Sequence, residues 1–599
     1  MALFPPRKQS LMLAATLVVA VGLVAGFVPW TVKSQAQRQA AIARLSAALG
    51  AESLSVGTIR FALLPQPRIE VTEVAVRHKG GSTLTAPVSH ASLRLGPLFS
   101  GKFKPASVTF ASPDINLVLP ESEYRGIRRL AQAAGSGGLL SMPGSLTGID
   151  KISIDAGRLA IRTGVAGESE SYDNVRLRLA FSGDTRPLSF VFTGRRNGEE
   201  THASFKGASR TAVASGATEP VAFSYWSPGL SFEFDGKGSV SRATTLSGHL
   251  IARAGARGPA PFLPALAGLG ITALPQMEMT ATLDFNDRGA NLSDLKLMLD
   301  KDRYSGVGAV RHDGTRWHVS GTLASELADL TPFLASLTRA RRADGGWNTA
   351  LIDAEAPFAA NIDLRLSADR LRVGEREMTR AALALITRAG RAELTLADAT
   401  YHQGSARFRI SAAPGGDGLD VKFTGTLDRA DMGALIGQYT SRQRFRGMGN
   451  AGLTLETSGR SVAQFVANAE GRVNAALRDG ELIGIDLARL ANRRGSRPDI
   501  LLNEALGGRT PFESATVQAR ISRGLASPVE GRMQGGKIVG SVTGSVDFAS
   551  GTSDIVGSVV QVPQETFVVE PIPVLDFSVT GPLAEPRITP NIAALLRRS

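Results

Sequence analysis

The sequence predicts a mainly β protein: one N-terminal transmembrane helix, then a long succession of largely antiparallel strands with a few short helices. Three observations predict it. The run Leu11–Trp30 is 20 residues long and apolar except for the Thr16 hydroxyl and the Trp30 indole. From about residue 53 almost to the end, apolar residues alternate with polar ones. Glycine-rich stretches of the kind that reverse strands separate the alternating segments.

At 1.5 Å per residue, Leu11–Trp30 makes a helix of about 30 Å, the thickness of a bilayer's hydrocarbon core. Leu11, Leu17, Val21, Phe27 and Trp30 sample its length as candidate anchor residues. A signal peptide shares the basic start, Arg7 and Lys8. Its apolar core is usually only about 7–15 residues, however, and it ends at a small-residue cleavage site, not at an aromatic flank such as Phe27-Val28-Pro29-Trp30. We therefore read an uncleaved anchor over residues 1–33. Gly22-x-x-x-Gly26 has the spacing of a helix-packing motif, though two glycines in a span are usually incidental. Positive charges flank both ends nearly equally, so charge does not orient the span. The short tail is the end easily left in the cytoplasm, and the bulk of the chain is expected outside it.

Residues 34–50 follow as an amphipathic helix, with Ile42, Leu45 and Leu49 three and four apart and Gly50 as its stop. Packing on the first strands is its expected role. Beyond it the period is two. Val175, Leu177 and Leu179 alternate with arginines; Phe232 and Phe234 with Glu233 and Asp235; Leu364 with Asp363 and Arg365. Phe408 and Ile410 alternate with Arg407 and Arg409, and Phe423 follows Lys422. Each is a strand with one apolar and one wet face. Turns are expected at 79–82, 312–315 and 415–418, short helices at 122–134, 461–469 and 485–492, and an apolar loop or short helix at 261–269. One-sided strands in such number have three solutions: a sandwich, a barrel, or a curved sheet whose apolar trough holds a ligand.

Composition narrows the function. With no cysteine among 599 residues, disulfides and thiolate chemistry are excluded. The net charge of +13 favours anionic partners, but the arginines are dispersed apart from short clusters at 339–342 and 492–494, and aromatics make up only 6%. No nucleic acid is expected as a partner. The seven histidines (78, 90, 202, 249, 312, 318 and 402) show no metal-ligand spacing, so no metal and no cofactor are expected. Gly447-Met448-Gly449-Asn450-Ala451-Gly452 fits the dinucleotide pattern formally, yet Leu453-Thr454-Leu455 reads as a strand where that loop needs a helix. Asp329, Asp431 and Asp486 stand at matching places in similar units, a pattern of helix caps and not of acid–base pairs. An enzyme is not expected.

Several motifs resemble the AsmA family of membrane-anchored Gram-negative envelope proteins. Residues 91–102 (ASLRLGPLFSGK) and 107–117 (SVTFASPDINL) are similar to a strand, a Pro-Leu turn and a following strand. Residues 152–159 (ISIDAGRL) resemble its strand, small-residue turn and strand unit. The C-terminal likeness is closer: residues 471–487 (GRVNAALRDGELIGIDL) resemble a strand, an Asp-Gly turn and an entry to a short helix. Residues 508–513 (GRTPFE) and 579–586 (VTGPLAEP) follow in the same order. Gly321-Thr322-Leu323 leading to Ala328-Asp329-Leu330, and Gly425-Thr426-Leu427 leading to Ala430-Asp431-Met432, look like two copies of one unit.

The resemblance implies an extended, curved β-groove of the bridge-like lipid-transfer type, held in the inner membrane and projecting into the periplasm. Phospholipid acyl chains would lie along its apolar face. It implies an N-terminal groove module at 51–257, a middle region at 258–450 and a C-terminal module at 451–599. The candidate groove-lining residues are then Val175, Leu177, Leu179, Phe232, Phe234, Leu364, Phe408, Ile410 and Phe423. The expected partners are phospholipids, the inner membrane and an outer-membrane or periplasmic protein. The expected function is phospholipid conduction for outer-membrane homeostasis; a scaffold for outer-membrane protein assembly is the alternative. About 550 residues at about 14–18 per strand and turn make about 30–40 strands, or at most about 150–190 Å of sheet.

Overall fold

The computed structural model describes residues 30–31, 35–36, 39, 42, 51–64, 66–78, 81–99, 105–119, 149–163, 169–180, 187–240, 244–255, 276–313, 316–332, 346–352, 360–416, 418–438, 444–491, 505–562, 571–583 and 585–591. Their strands are mainly antiparallel, as the alternation predicts. The described helices are only five or six residues long, and none is long and apolar enough to cross a membrane. Residues 1–29, which carry the expected anchor, the helix expected at 122–134 and the loop or short helix expected at 261–269 lie outside the described residues.

The chain forms two compact units. One holds residues 1–259, 276–295 and 310–312, and the other holds 260–275, 296–309 and 313–599.

In the first unit Trp30 and Thr31 pair with Phe61 and Arg60. Gln35, Ala36, Gln39 and Ile42 are helical, and Ile42 packs on the core of Val56, Val74 and Ala86, the role expected of the amphipathic segment. Strand Thr83–Leu93 faces two successive short strands, Pro105–Ala111 and Asp114–Leu119, joined through Ser112 at φ 46°. Both then run parallel to Lys151–Thr163. From there to Asn286 each strand pairs antiparallel with its successor.

The second unit repeats this logic. Strand Trp317–Asp329 runs parallel to Ala360–Val373, and an antiparallel succession continues to Pro590. The turn expected at 415–418 is a hairpin, with Gly415 opposite Gly418.

Two segments read from sequence as turns are bulges instead. Ala156-Gly157 and Asp479-Gly480 sit inside continuous strands, Lys151–Thr163 and Glu470–Ile485. The reason is local: Ala156 at φ 52° and Asp479 at φ 49° absorb one extra residue in the left-handed region, and pairing resumes beyond them. Met448 opposes Arg478 and Arg446 opposes Glu481, three residues advancing against two. Arg380 and Arg429, also at positive φ, lie at similar register shifts. Such bulges add twist and bend to each strand.

Short helices close strand ends. Met432–Gly437 begins at Asp431, whose Oδ1 accepts the Ala434 amide at 3.0 Å; Val462–Ala467 begins at Ser461; and Asp486 Oδ1 accepts the Arg489 amide at the head of Leu487–Ala491. The capping expected of Asp431 and Asp486 is what they do. Asp329 Oδ1 instead accepts the Thr331 amide, an Asx turn, at 2.8 Å. The two sequence copies share a wholly buried alanine at the strand end, Ala328 and Ala430, but among the described residues only the second leads into a capped helix. Replacing Asp431 by Ala is expected to cost about 1 kcal/mol, read as a lower denaturation midpoint, since it orphans an amide at the helix start.

One device occurs twice among the described residues. Thr387 Oγ1 donates to the Ala360 carbonyl at 2.6 Å and accepts the Ile362 amide at 2.8 Å; Thr510 Oγ1 does the same between Ile485 and Leu487 at 2.7 and 2.9 Å. Both threonines are almost fully buried. The hydroxyl takes over a ladder bond where the neighbouring strand leaves register.

Candidate functional site: the apolar faces

Strand register turns the alternation into continuous rows. In the first unit one row runs Ile152, Leu179, Phe190, Phe205, Phe223, Phe234, Leu250, Ala281 across eight strands. Beside it runs Ile154, Leu177, Phe192, Ala203, Tyr225, Phe232, Ala252, Met279. At about 4.8 Å per strand each row is roughly 34 Å long.

In the second unit the rows are Leu364, Leu385, Leu394, Ile410, Phe423, Leu455, Gly471, Ile521, Ala526, and Leu366, Leu383, Leu396, Phe408, Gly425, Leu453, Val473, Ala519, Val529.

Every candidate lining residue falls on one of these rows or next to one. Leu177, Leu179, Phe232, Leu364, Phe408, Ile410 and Phe423 are half-buried, while Phe234 and Val175 are buried, at 6% and 1% exposed. Of the anchor candidates, Leu11, Leu17, Val21 and Phe27 lie outside the described residues; Trp30 is exposed at 63%.

The rings on these rows touch. Phe232 lies 4.9 Å from Phe223 and 5.7 Å from Tyr225, Tyr172 meets Phe192 edge-on at 5.6 Å, and Phe408 stacks on Phe423 at 6.2 Å. Burial is the first cause, and the nearby Glu170 the second, that push the Tyr172 hydroxyl up to about 12, so the phenol stays neutral at this face.

The opposite faces are wet and paired in charge. Ser204 and Ser224 hydroxyls bond across strands at 2.7 Å. Arg388 meets Asp363 at 3.2 Å, Arg409 meets Glu393 at 3.4 Å, and Lys422 meets Glu456. Such exposed pairs contribute about 0–1 kcal/mol each. Their effect is to keep much of this face in water, although Val191 and Trp226 stand exposed on it.

Several residues of these rows were not singled out from the sequence, among them Phe190, Phe205, Leu394, Leu396, Leu453 and Leu455. For Leu453-Thr454-Leu455 the signal is the same alternation; Phe190-Val191-Phe192 is apolar throughout and does not carry it. The dinucleotide-like segment 447–452 lies within strand Phe445–Gly459, where it opens no helix. Among the described residues no group of three or more His, Asp or Glu is placed to hold a metal.

The model of the AsmA family matches residues 328–530, which lie in the second unit and include the 471–487 motif. No curated protein and no solved structure matches the chain.

Proposed function

We infer, for a chain that over residues 328–530 belongs to the AsmA family, that its apolar faces shield the acyl chains of phospholipids between the membranes of a cell envelope. The single observation that carries this is the register-locked apolar rows, eight and nine strands wide, many of whose residues are only half-buried. Membership of this family fits an envelope-associated function.

The physical reasoning needs no chemistry. Each methylene exposed to water costs about 0.8 kcal/mol, so a chain of about 16 carbons meets a barrier of order 13 kcal/mol in crossing water unaided. An apolar face that follows it across removes most of that cost. The protein then acts as a conductor and not an enzyme, and the run Leu11–Trp30 would hold its start in the inner membrane with the sheet in the periplasm.

The test is mass spectrometry of lipid extracted from the purified full-length chain. Phospholipid at one or more molecules per chain is the expected result. A preparation free of lipid but carrying outer-membrane proteins would instead favour the scaffold reading.

A further inference from the structure

Two glycines on the apolar side of their strands lie beneath a phenylalanine ring, Gly425 on a row and Gly194 beside one. Gly194 follows Phe192 by two residues and Gly425 follows Phe423 by two, each pair on the apolar side of one strand. A Cβ on Gly425 would sit 2.7 Å from Phe423 Cζ and 2.9 Å from its Cε1; the next atom, the Arg407 carbonyl oxygen, is 3.7 Å away. On Gly194 it would sit 3.0 Å from Phe192 Cζ. At Gly425 only the ring crowds an added Cβ.

Strand side chains stand roughly perpendicular to the sheet. A ring whose tip reaches the residue two places on must instead lie down along the strand. Phe423 is in this posture, and Phe408, whose register partner is Gly425, stacks nearly parallel to it at an interplanar angle of 25°. Glycine weakens a strand by its entropy and its missing side chain. Its place under these rings therefore has a cost that the sheet's own stability does not explain.

We propose that Gly425 and Gly194 set the clearance above the apolar face: they let Phe423 and Phe192 lie flat, so that an acyl chain passes over the ring and not against its edge. This rests on the lipid-shielding reading and adds what limits the width of the path. A side chain at either glycine stands the ring up into that path. Methyl-branched chains, being wider, are obstructed before straight ones. A purely structural role makes the opposite forecast, because a ring that only patches the strand loses nothing when the strand receives its own side chain.

The experiment uses the full-length chain as wild type, Gly425→Val, and Gly425→Val with Phe423→Leu, each prepared identically, with bound phospholipid per chain counted by mass spectrometry and the thermal midpoint recorded. Gly425→Val is expected to melt no lower than wild type, because valine suits a strand better than glycine. Its lipid content is expected to fall by about fourfold for each methylene displaced from the face, with branched chains lost first. The double variant is expected to recover the wild-type content. Wild-type lipid content in Gly425→Val overturns the proposal, and so does a loss that Phe423→Leu fails to restore. A wild-type chain that carries no lipid at all overturns the lipid reading beneath it.

Discussion

Phe232→Asp is expected to cut the phospholipid bound per chain by about tenfold or more, because burying an unpaired polar group against hydrocarbon costs about 1–3 kcal/mol at the least. Phe232 sits midway along its row, flanked across strands by Tyr225 and Ala252. A carboxylate there interrupts a surface whose neighbours on both sides remain apolar, and an acyl chain in contact with it must either leave the face or carry water with it. Phe408→Asp in the second unit tests the same idea between Leu396 and Gly425. The control is Ser231→Asp, one residue away on the opposite face, where the new carboxylate stands opposite Arg253. It is expected to leave lipid content unchanged. Equal lipid in Phe232→Asp and wild type, with both chains folded by circular dichroism, would show that the row is not the lipid surface at that point.

Leu371→Ala is the second large effect, and it concerns stability. Leu371 is 1% exposed, in a cluster with Ala328, Ala368, Leu396 and Tyr304. Truncation removes its transfer energy and leaves a cavity lined by small alanines that cannot collapse inward, so about 2–5 kcal/mol should be lost. That corresponds to roughly 3–8 °C in the melting of this unit. Leu371→Met keeps the volume and is expected to lose less than about 1.5 kcal/mol. If both variants melt alike, the cluster is looser than its burial indicates.

The contrast between Leu371 and Phe423 explains how much was legible in the sequence. Both have polar neighbours on either side, and period two placed Phe423 on a strand while leaving Leu371 unremarked. It could not tell a residue sealed under neighbouring side chains from one left half-open, because that depends on which strand lies opposite and in what register. Register is a long-range property: Leu396 finds Phe408 and Leu383 only through two separate hairpins. The caps at Asp431 and Asp486 were legible because a cap is settled within three residues. Ala156-Gly157 and Asp479-Gly480 were misread for the complementary reason. A small residue followed by glycine is the same local signal whether the chain reverses or merely bulges, and only the partner strand decides. The glycines beneath the rings were invisible for that reason too, since a glycine in a strand has no pattern of its own.

The two places among the described residues where the succession of neighbours turns parallel have a consequence for how the molecule is made. Nearly every other strand meets a partner that leaves the ribosome just before or just after it, so the sheet can zip up in step with synthesis. Trp317–Asp329 cannot pair in this way with Ala360–Val373. Its partner emerges only after the intervening stretch has been made, and until then its far edge stays bare. Closing that loop costs little in equilibrium terms, about 0.6 kcal/mol for each doubling of its length, so the finished protein is hardly weakened. The delay is instead a window of time in which an open strand edge is available to a chaperone, or to a neighbouring chain.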